Sequence, residues 1–174
     1  MVDAANRGGV CAEEGVFCTE GIKSEVEQIR EAVDKGLDFP PHSVHSMVEA
    51  LVTFIASLAN PLIPEEALPK GPIEHSDVSS ASRALLERLP PLHYSNFAYL
   101  ISFFRDVLKH TERTLLTSER LAVVCRMCMV ADAYRTGAGR ARQHDRPHAS
   151  GQDTREGERA VDLILQNLLT TELI

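Results

Sequence analysis

Apolar residues recur along this chain at intervals of three and four, the spacing of helices that bury one face. Val26, Ile29 and Val33 share a face behind Ser24-x-x-Glu27, which reads as a capping box, and Gly36 supplies a terminator. A helix is predicted over 24–35, with Glu31 and Lys35 paired one turn apart. Asp38-Phe39-Pro40-Pro41 breaks the pattern, because proline disfavours helical backbone in the residue before it. From Ser43, the residues Val44, Met47, Val48, Leu51, Ile55 and Leu58 mark one face, and Ala50, Phe54 and Ala56 widen it beyond the stripe of a surface helix. This segment is expected to be the most buried helix, with the others around it, and Asn60-Pro61 to end it.

The stretch 64–77, with Pro64, Pro69, Gly71 and Pro72, reads as an irregular excursion. Leu85, Leu86 and Leu89 place a shorter helix at 78–89, stopped by Pro90-Pro91. Phe97, Leu100, Ile101, Phe104, Val107 and Leu108 repeat at helical spacing over 93–110. Another helix opens at Thr117, carries Leu121, Val124, Cys125 and Cys128 on one side, and is expected to run to Arg135. Residues 136–157 are Gly, Arg, His, Asp and Ser with almost nothing apolar, a composition that predicts a flexible loop. A final helix over 158–169 would bury Val161, Ile164, Leu165 and Leu168. No stretch alternates with period two over a strand's length, so the expected fold is an all-α helical bundle.

Composition narrows the class. With 174 residues, 44% of them apolar, the chain can build one core, and residues 1–174 read as a single domain. A net charge of −7 without a block of consecutive Lys or Arg argues against a nucleic-acid surface or a polybasic membrane patch, leaving proteins as partners. No apolar run reaches the roughly 20 residues a bilayer needs, and no signal core follows Met1, so the expectation is a cytoplasmic protein without direct membrane insertion.

The four cysteines are Cys11, Cys18, Cys125 and Cys128, and reduced thiols are expected for all. Cys125-x-x-Cys128 has zinc-like spacing, but no second ligand pair accompanies it, and two small side chains facing a core explain it without metal. His144 and His148 fall in the polar stretch and read as solvated residues rather than ligands. Gly137-Ala138-Gly139, among Arg135, Arg140, Arg142 and Arg146, follows no strand and reads as linker rather than phosphate cradle. Neither a metal nor a cofactor is implied.

One segment carries a family pattern. Gly15-Val16-Phe17-Cys18-Thr19-Glu20-Gly21, followed by the helix from Glu25, resembles the loop of Rho GTPase-activating (RhoGAP) domains, which usually read Gly, aliphatic, Phe, Arg, any residue, Ser, Gly. The likeness continues through Val48-Glu49-Ala50-Leu51 into Leu58-Ala59-Asn60-Pro61-Leu62-Ile63-Pro64, then Leu89-Pro90-Pro91-Leu92-His93-Tyr94, then Lys109-His110-Thr111-Glu112 and Thr117 to Val124, in family order over about 10–130. Within that family it is most similar to the C-terminal domains of type II inositol polyphosphate 5-phosphatases, which share the degenerate arginine position and a final helix opening like Arg159-Ala160-Val161. Val2-Asp3-Ala4 would end the family's first helix, so the chain reads as truncated there, leaving the face around Val44, Leu51 and Leu58 uncovered.

The resemblance implies a RhoGAP-like bundle acting on small GTPases, with Cys18 where the family carries its catalytic arginine. Val52 and Ala56 stand where it usually has Lys and Arg, and Arg120 and Met127 where it has Asn and Pro. A thiol cannot offer the permanent charge or planar fork of a guanidinium. The implied function is therefore a non-catalytic module that binds GTP-loaded Rho/Rac-type GTPases through Phe17, Cys18, Val52, Ala56 and Arg120, or adaptor peptides, and recruits a phosphoinositide 5-phosphatase to endosomal or plasma membranes. Cys18 is expected to be buried or half-buried beside Phe17. The alternative is a working activator that uses another arginine, such as Arg7 or Arg30, or one supplied by the GTPase. A phosphatase site within these residues lacks the acidic and histidine clusters such chemistry requires.

Overall fold

The computed structural model describes residues 1–7, 9–38, 41–69, 71–131 and 151–171. Its helices are α1 (Val2–Arg7), α2 (Lys23–Asp34), α3 (Val44–Ala56), α4 (Val78–Arg88), α5 (Pro91–Leu108), α6 (Thr111–Thr114), α7 (Ser118–Met129) and α8 (Gly151–Thr170). Among the described residues there is no strand, only a single parallel bridge between Ile63 and Val130. The expected all-α bundle is the fold observed.

Several boundaries follow from local chemistry. Ser43 caps α3 by accepting the Ser46 N–H at 3.2 Å, and Thr117 caps α7 through the Arg120 N–H at 3.4 Å. Pro91 opens α5 at a position where its missing N–H costs nothing. Gly36, at φ +64°, closes α2, with Leu37 N–H on the Ala32 carbonyl at 2.8 Å and Gly36 N–H on that of Val33 at 3.0 Å. Glu31 and Lys35 pair at 3.0 Å, as their spacing implies.

The capping box does not form. Helix α2 already begins at Lys23, with Ile22 at the cap position and no side-chain capping bond, and Ser24 is an exposed residue of the first turn. The backbone donors ahead of the helix are instead taken by α3: Gly21 N–H by Glu49 at 2.6 Å and Ile22 N–H by Ser46 Oγ at 2.9 Å. Tertiary partners have displaced the local cap.

Packing is shared between two centres. Helix α3 packs against α1, α2 and α7, whereas α8 packs against α4, α5 and α7, so α3 is not the sole hub that its apolar stripe suggested. Phe97, Ile101 and Phe104 of α5 and Ile164 and Leu165 of α8 are fully buried in the same core. Phe54 is 44% exposed because it lies one turn past Ala50, beyond the patch of Val44, Met47 and Ala50 that meets Val26, Ile29 and Val33 of α2. Leu58 is 38% exposed because α3 ends at Ala56 and Leu58 lies outside the helix. Leu51, expected to be uncovered, is buried in one core cluster with Val2 and Ala5 of α1.

Helix α7 stops at Met129 rather than Arg135, because Val130 turns extended to pair with Ile63, whose N–H bonds the Met129 carbonyl at 2.8 Å. Cys125 and Cys128 are fully buried core residues. The Gly137-Ala138-Gly139 segment, its four arginines, His144 and His148 lie outside the described residues. Where description resumes, 151–157 is already helical, so that part of the expected loop belongs to α8. Gln152, Arg155, Glu156 and Glu158 favour helix without needing a buried face. The 64–77 stretch holds two short 3-10 turns, Glu65–Ala67 and His75–Asp77, and buries Ala67 and Leu68.

Tail and body are tied by polar contacts. Arg105 of α5 donates to the carbonyls of Leu168, at 3.0 and 2.7 Å, and of Thr171, and Ser82 of α4 donates to Asn167 at 2.9 Å. Arg126, itself buried, bonds Asp162 at 2.7 Å. Burial raises the Asp162 carboxyl from its ordinary range and Arg126 opposes that shift.

Candidate functional site

The loop from Gly15 to Gly21 is held at both ends. At its start, Gly15 takes φ +69°, donates its N–H to the Thr114 carbonyl at 3.2 Å, and accepts from the Cys18 and Thr19 N–H groups at 2.9 and 3.0 Å. Phe17 also has positive φ, +65°, a conformation that costs a residue with a Cβ roughly 1–2 kcal/mol. Its ring lies edge-on to Phe104 and Phe103, with centroids 5.5 and 6.4 Å apart, and such pairs contribute about 0.5–1.5 kcal/mol beyond burial. Ring packing thus offsets the backbone strain.

The left-handed turn sends the Phe17 ring inward and Cys18 outward. Cys18 is exposed, not buried or half-buried as its sequence context suggested. What sequence could not supply was the sign of φ at the preceding residue.

At the far end, Gly21 is pressed against α3. A Cβ there would stand 2.6 Å from Ser46 Cα and 2.9 Å from Ser46 N, atoms that cannot yield without moving the helix. Gly21→Ala is expected to lower stability by about 2 kcal/mol, a typical overpacking cost, read as a lower denaturation midpoint. A change below the scatter of repeated melts would mean that the loop end is free to shift.

Beside this contact, Glu25 of α2 accepts from Ser43 N–H at 3.1 Å and Ser43 Oγ at 2.9 Å, and Ser43 Oγ meets Ser46 Oγ at 2.7 Å. Hydrogen bonds from Ser46 and then Ser43 hold the Glu25 carboxyl below its usual range. Because the folded-state value is the lower one, this stabilisation is present above the unfolded carboxylate range and is lost as pH falls through the folded value. Melting temperatures measured down through the acid range should therefore fall less steeply in Glu25→Gln than in wild type; parallel curves would exclude Glu25 as a contributor.

Between the loop and the α3/α7 pair lies a groove of about 240 Å³, lined by Phe17, Cys18, Thr19, Glu20, Val48, Glu49, Val52, Val124 and Met127. The fold thus brings Phe17, Cys18 and Val52 together. Ala56 sits one turn past Val52, half-buried against the core, and Arg120 is exposed in the first turn of α7, one turn before Val124; neither lines the groove. Sequence reasoning missed Glu49, although a signal was present: it is the one charge in the apolar run 46–58.

The lining has two carboxylates and no cation, so within it no group can bond a phosphoryl oxygen as a guanidinium does. Arg30 is exposed on α2 and engaged with Glu27 at 2.6 Å, and the Arg7 side chain lies outside the described residues.

Comparison with known proteins bears on the family and the fold. The family model of the RhoGAP domain matches residues 2–133. The chain is 33% identical over 125 residues to a type II inositol 1,4,5-trisphosphate 5-phosphatase of Mus musculus, covering 71% of this chain and 12% of that protein. It is 29% identical over 137 residues to Rho GTPase-activating protein 68F of Drosophila melanogaster, covering 71% of this chain and 27% of the other. Among solved structures, human Rho GTPase-activating protein 15 superposes with a TM-score of 0.71 at 16% identity, over 98% of this chain and 81% of its own. The BH domain of GRAF, the GTPase regulator associated with focal adhesion kinase, gives 0.68 at 18% identity, over 96% and 87%. At such identities these two structures bear on the fold alone.

Proposed function

Because the chain belongs to the RhoGAP domain family, with its place in small-GTPase signalling, we propose that it is a member that binds a GTPase without accelerating GTP hydrolysis. The observation that supports this reading is Cys18, carried outward by the loop at the rim of the groove where the family pattern puts its arginine. Phosphoryl transfer to water spreads negative charge over the transferring oxygens and the leaving group, and an arginine from the activating domain neutralises it, supplying about 10³–10⁵ in rate. A thiol has no such charge to bring. Binding needs only the groove and the surfaces around it, so the partner side of the family's activity can persist when the chemistry is gone.

In this reading Phe17 fixes the loop, while Cys18 and Val52 meet the partner directly. Ala56 and Arg120 meet it at the ends of α3 and α7. The partners are Rho/Rac-type GTPases in the GTP-bound form, with adaptor peptides as a second class. Since the chain spans 12% of the length of the related mouse phosphatase, recruitment of a 5-phosphatase to endosomal or plasma membranes through such partners is part of the proposal.

The test pairs two measurements on a panel of Rho-type GTPases: affinity for the GTP- and GDP-loaded forms, and single-turnover hydrolysis with the chain in excess. Measurable binding with hydrolysis near the intrinsic rate is expected. Acceleration of a hundredfold or more would replace this reading with an activator that uses a non-standard arginine, and binding to none of the panel would remove it.

A further inference from the structure

The groove beside Cys18 is lined by apolar side chains that include Val52, Val124 and Met127, and by the carboxylates of Glu20 and Glu49. Glu49 gives one oxygen to the Gly21 N–H, while its other oxygen and the whole of the exposed Glu20 side chain have no partner among the described residues. Lys23 and Arg120 stand in the first turns of α2 and α7, but neither lines the groove. An anionic group entering this cleft meets like charge where water is partly excluded, whereas a Lys or Arg finds carboxylate oxygens above a surface that can hold an apolar neighbour.

We infer that the segment filling the groove is a stretch of the GTPase in which an aliphatic or aromatic side chain stands next to a Lys or Arg. The apolar group rests on Val52 and Met127, and the cation lies between Glu20 and Glu49. This rests on reading the groove as the GTPase-facing surface, and adds the chemistry of what is bound. It reverses the polarity of a site built around an arginine: the cation now comes from the partner, and it meets carboxylates rather than phosphate. Charge complementarity of this kind acts on association rate and on choice of partner as well as on affinity.

Two probes test it. The first is the affinity of the GTPase panel for wild type, Glu20→Gln and Glu20→Lys; Glu20 has no contact that folding needs, so unchanged melting temperatures serve as the control. The second is a pair of short acetylated peptides of equal apolar content, one with Leu flanked by Lys and one with Leu flanked by Glu, followed through the methyl resonances of Val52, Val124 and Met127. We expect the Lys peptide to shift these methyls and the Glu peptide not to, with the response at least fivefold weaker in Glu20→Lys. GTPase affinity should fall at least tenfold in Glu20→Lys, and added salt should weaken wild type more than Glu20→Gln. An equal or stronger response to the acidic peptide, silence from both peptides at millimolar concentration, or unchanged GTPase affinity in Glu20→Lys overturns the inference while the GTPase reading stands. A chain that answers the Lys peptide but binds no GTPase keeps the groove's preference for a cation beside an apolar group, and loses both the GTPase reading and the assignment of the segment to a GTPase.

Discussion

Phe104→Ala is expected to lower the free energy of unfolding by about 3–5 kcal/mol, the usual cost of emptying a buried phenylalanine site. Phe104 is fully buried, and its ring stands 5.2 Å from that of Phe103 and 5.5 Å from that of Phe17. Against a total stability of about 5–15 kcal/mol, that loss is severe. The functional consequence is larger than the number suggests. Without Phe104, the strained backbone at Phe17 loses one of the two rings that offset it, and the outward placement of Cys18 loses its support. Denaturant titration of Phe104→Ala and Phe104→Leu separates the two effects. The leucine variant keeps apolar volume, should cost about 1–2 kcal/mol, and remains foldable enough to report on the loop. A loss under about 1 kcal/mol for the alanine variant would mean that the core collapses around the gap and that Phe17 is held by other means.

Cys18→Arg is expected to leave single-turnover GTP hydrolysis within about tenfold of the intrinsic rate, where a positioned arginine would add about 10³–10⁵. Two features of the fold oppose a newly placed guanidinium. Glu20 and Glu49 line the same cleft and offer carboxylate oxygens that compete with phosphate oxygens for it. Val52, Ala56 and Arg120 stand where the family pattern has Lys, Arg and Asn, so on the proposed reading the loop lacks the side chains that would orient it against a GTPase. A displacement of about 1 Å can cost roughly 10²-fold, so an unsupported arginine forfeits most of its effect. Phosphate release measured with saturating chain decides the matter. A gain of 10³ or more from this single substitution would show that the surroundings of Cys18 still hold an arginine productively.

How far each of these features can be read without coordinates depends on the range of the forces behind it. The helix starts near Ser43 and Thr117, Gly36 as terminator and the Glu31–Lys35 pair were legible because each rests on contacts between residues a few positions apart. Cys125 and Cys128 read correctly as core residues for the same reason, since helical spacing puts both on the face of Leu121. The capping box at Ser24 and the burial of Phe54 were misread where a distant element intervened. Glu49 and Ser46 took the donors ahead of α2, and α2 covered α3 only as far as Ala50.

Sequence alone determined that this chain forms helices, where most of them begin and stop, which stripe of each is apolar, and that a thiol stands where the family pattern carries a guanidinium. The helices, their ends and their apolar stripes follow from dihedral preferences, short-range hydrogen bonds and the 3.6-residue period, all of which are written locally, whereas the place of the thiol rests on the resemblance to the family pattern. Only the tertiary structure decided that Cys18 faces outward, that α3 shares the centre of the bundle with α8, and that Glu20 and Glu49 line a largely apolar groove. These depend on a left-handed backbone at Phe17 that is tolerated because Phe103 and Phe104, more than eighty positions away, pack against its ring. A conformation that is unfavourable by itself and stabilised by remote contacts leaves no mark at its own position, so it becomes visible only when the chain has folded.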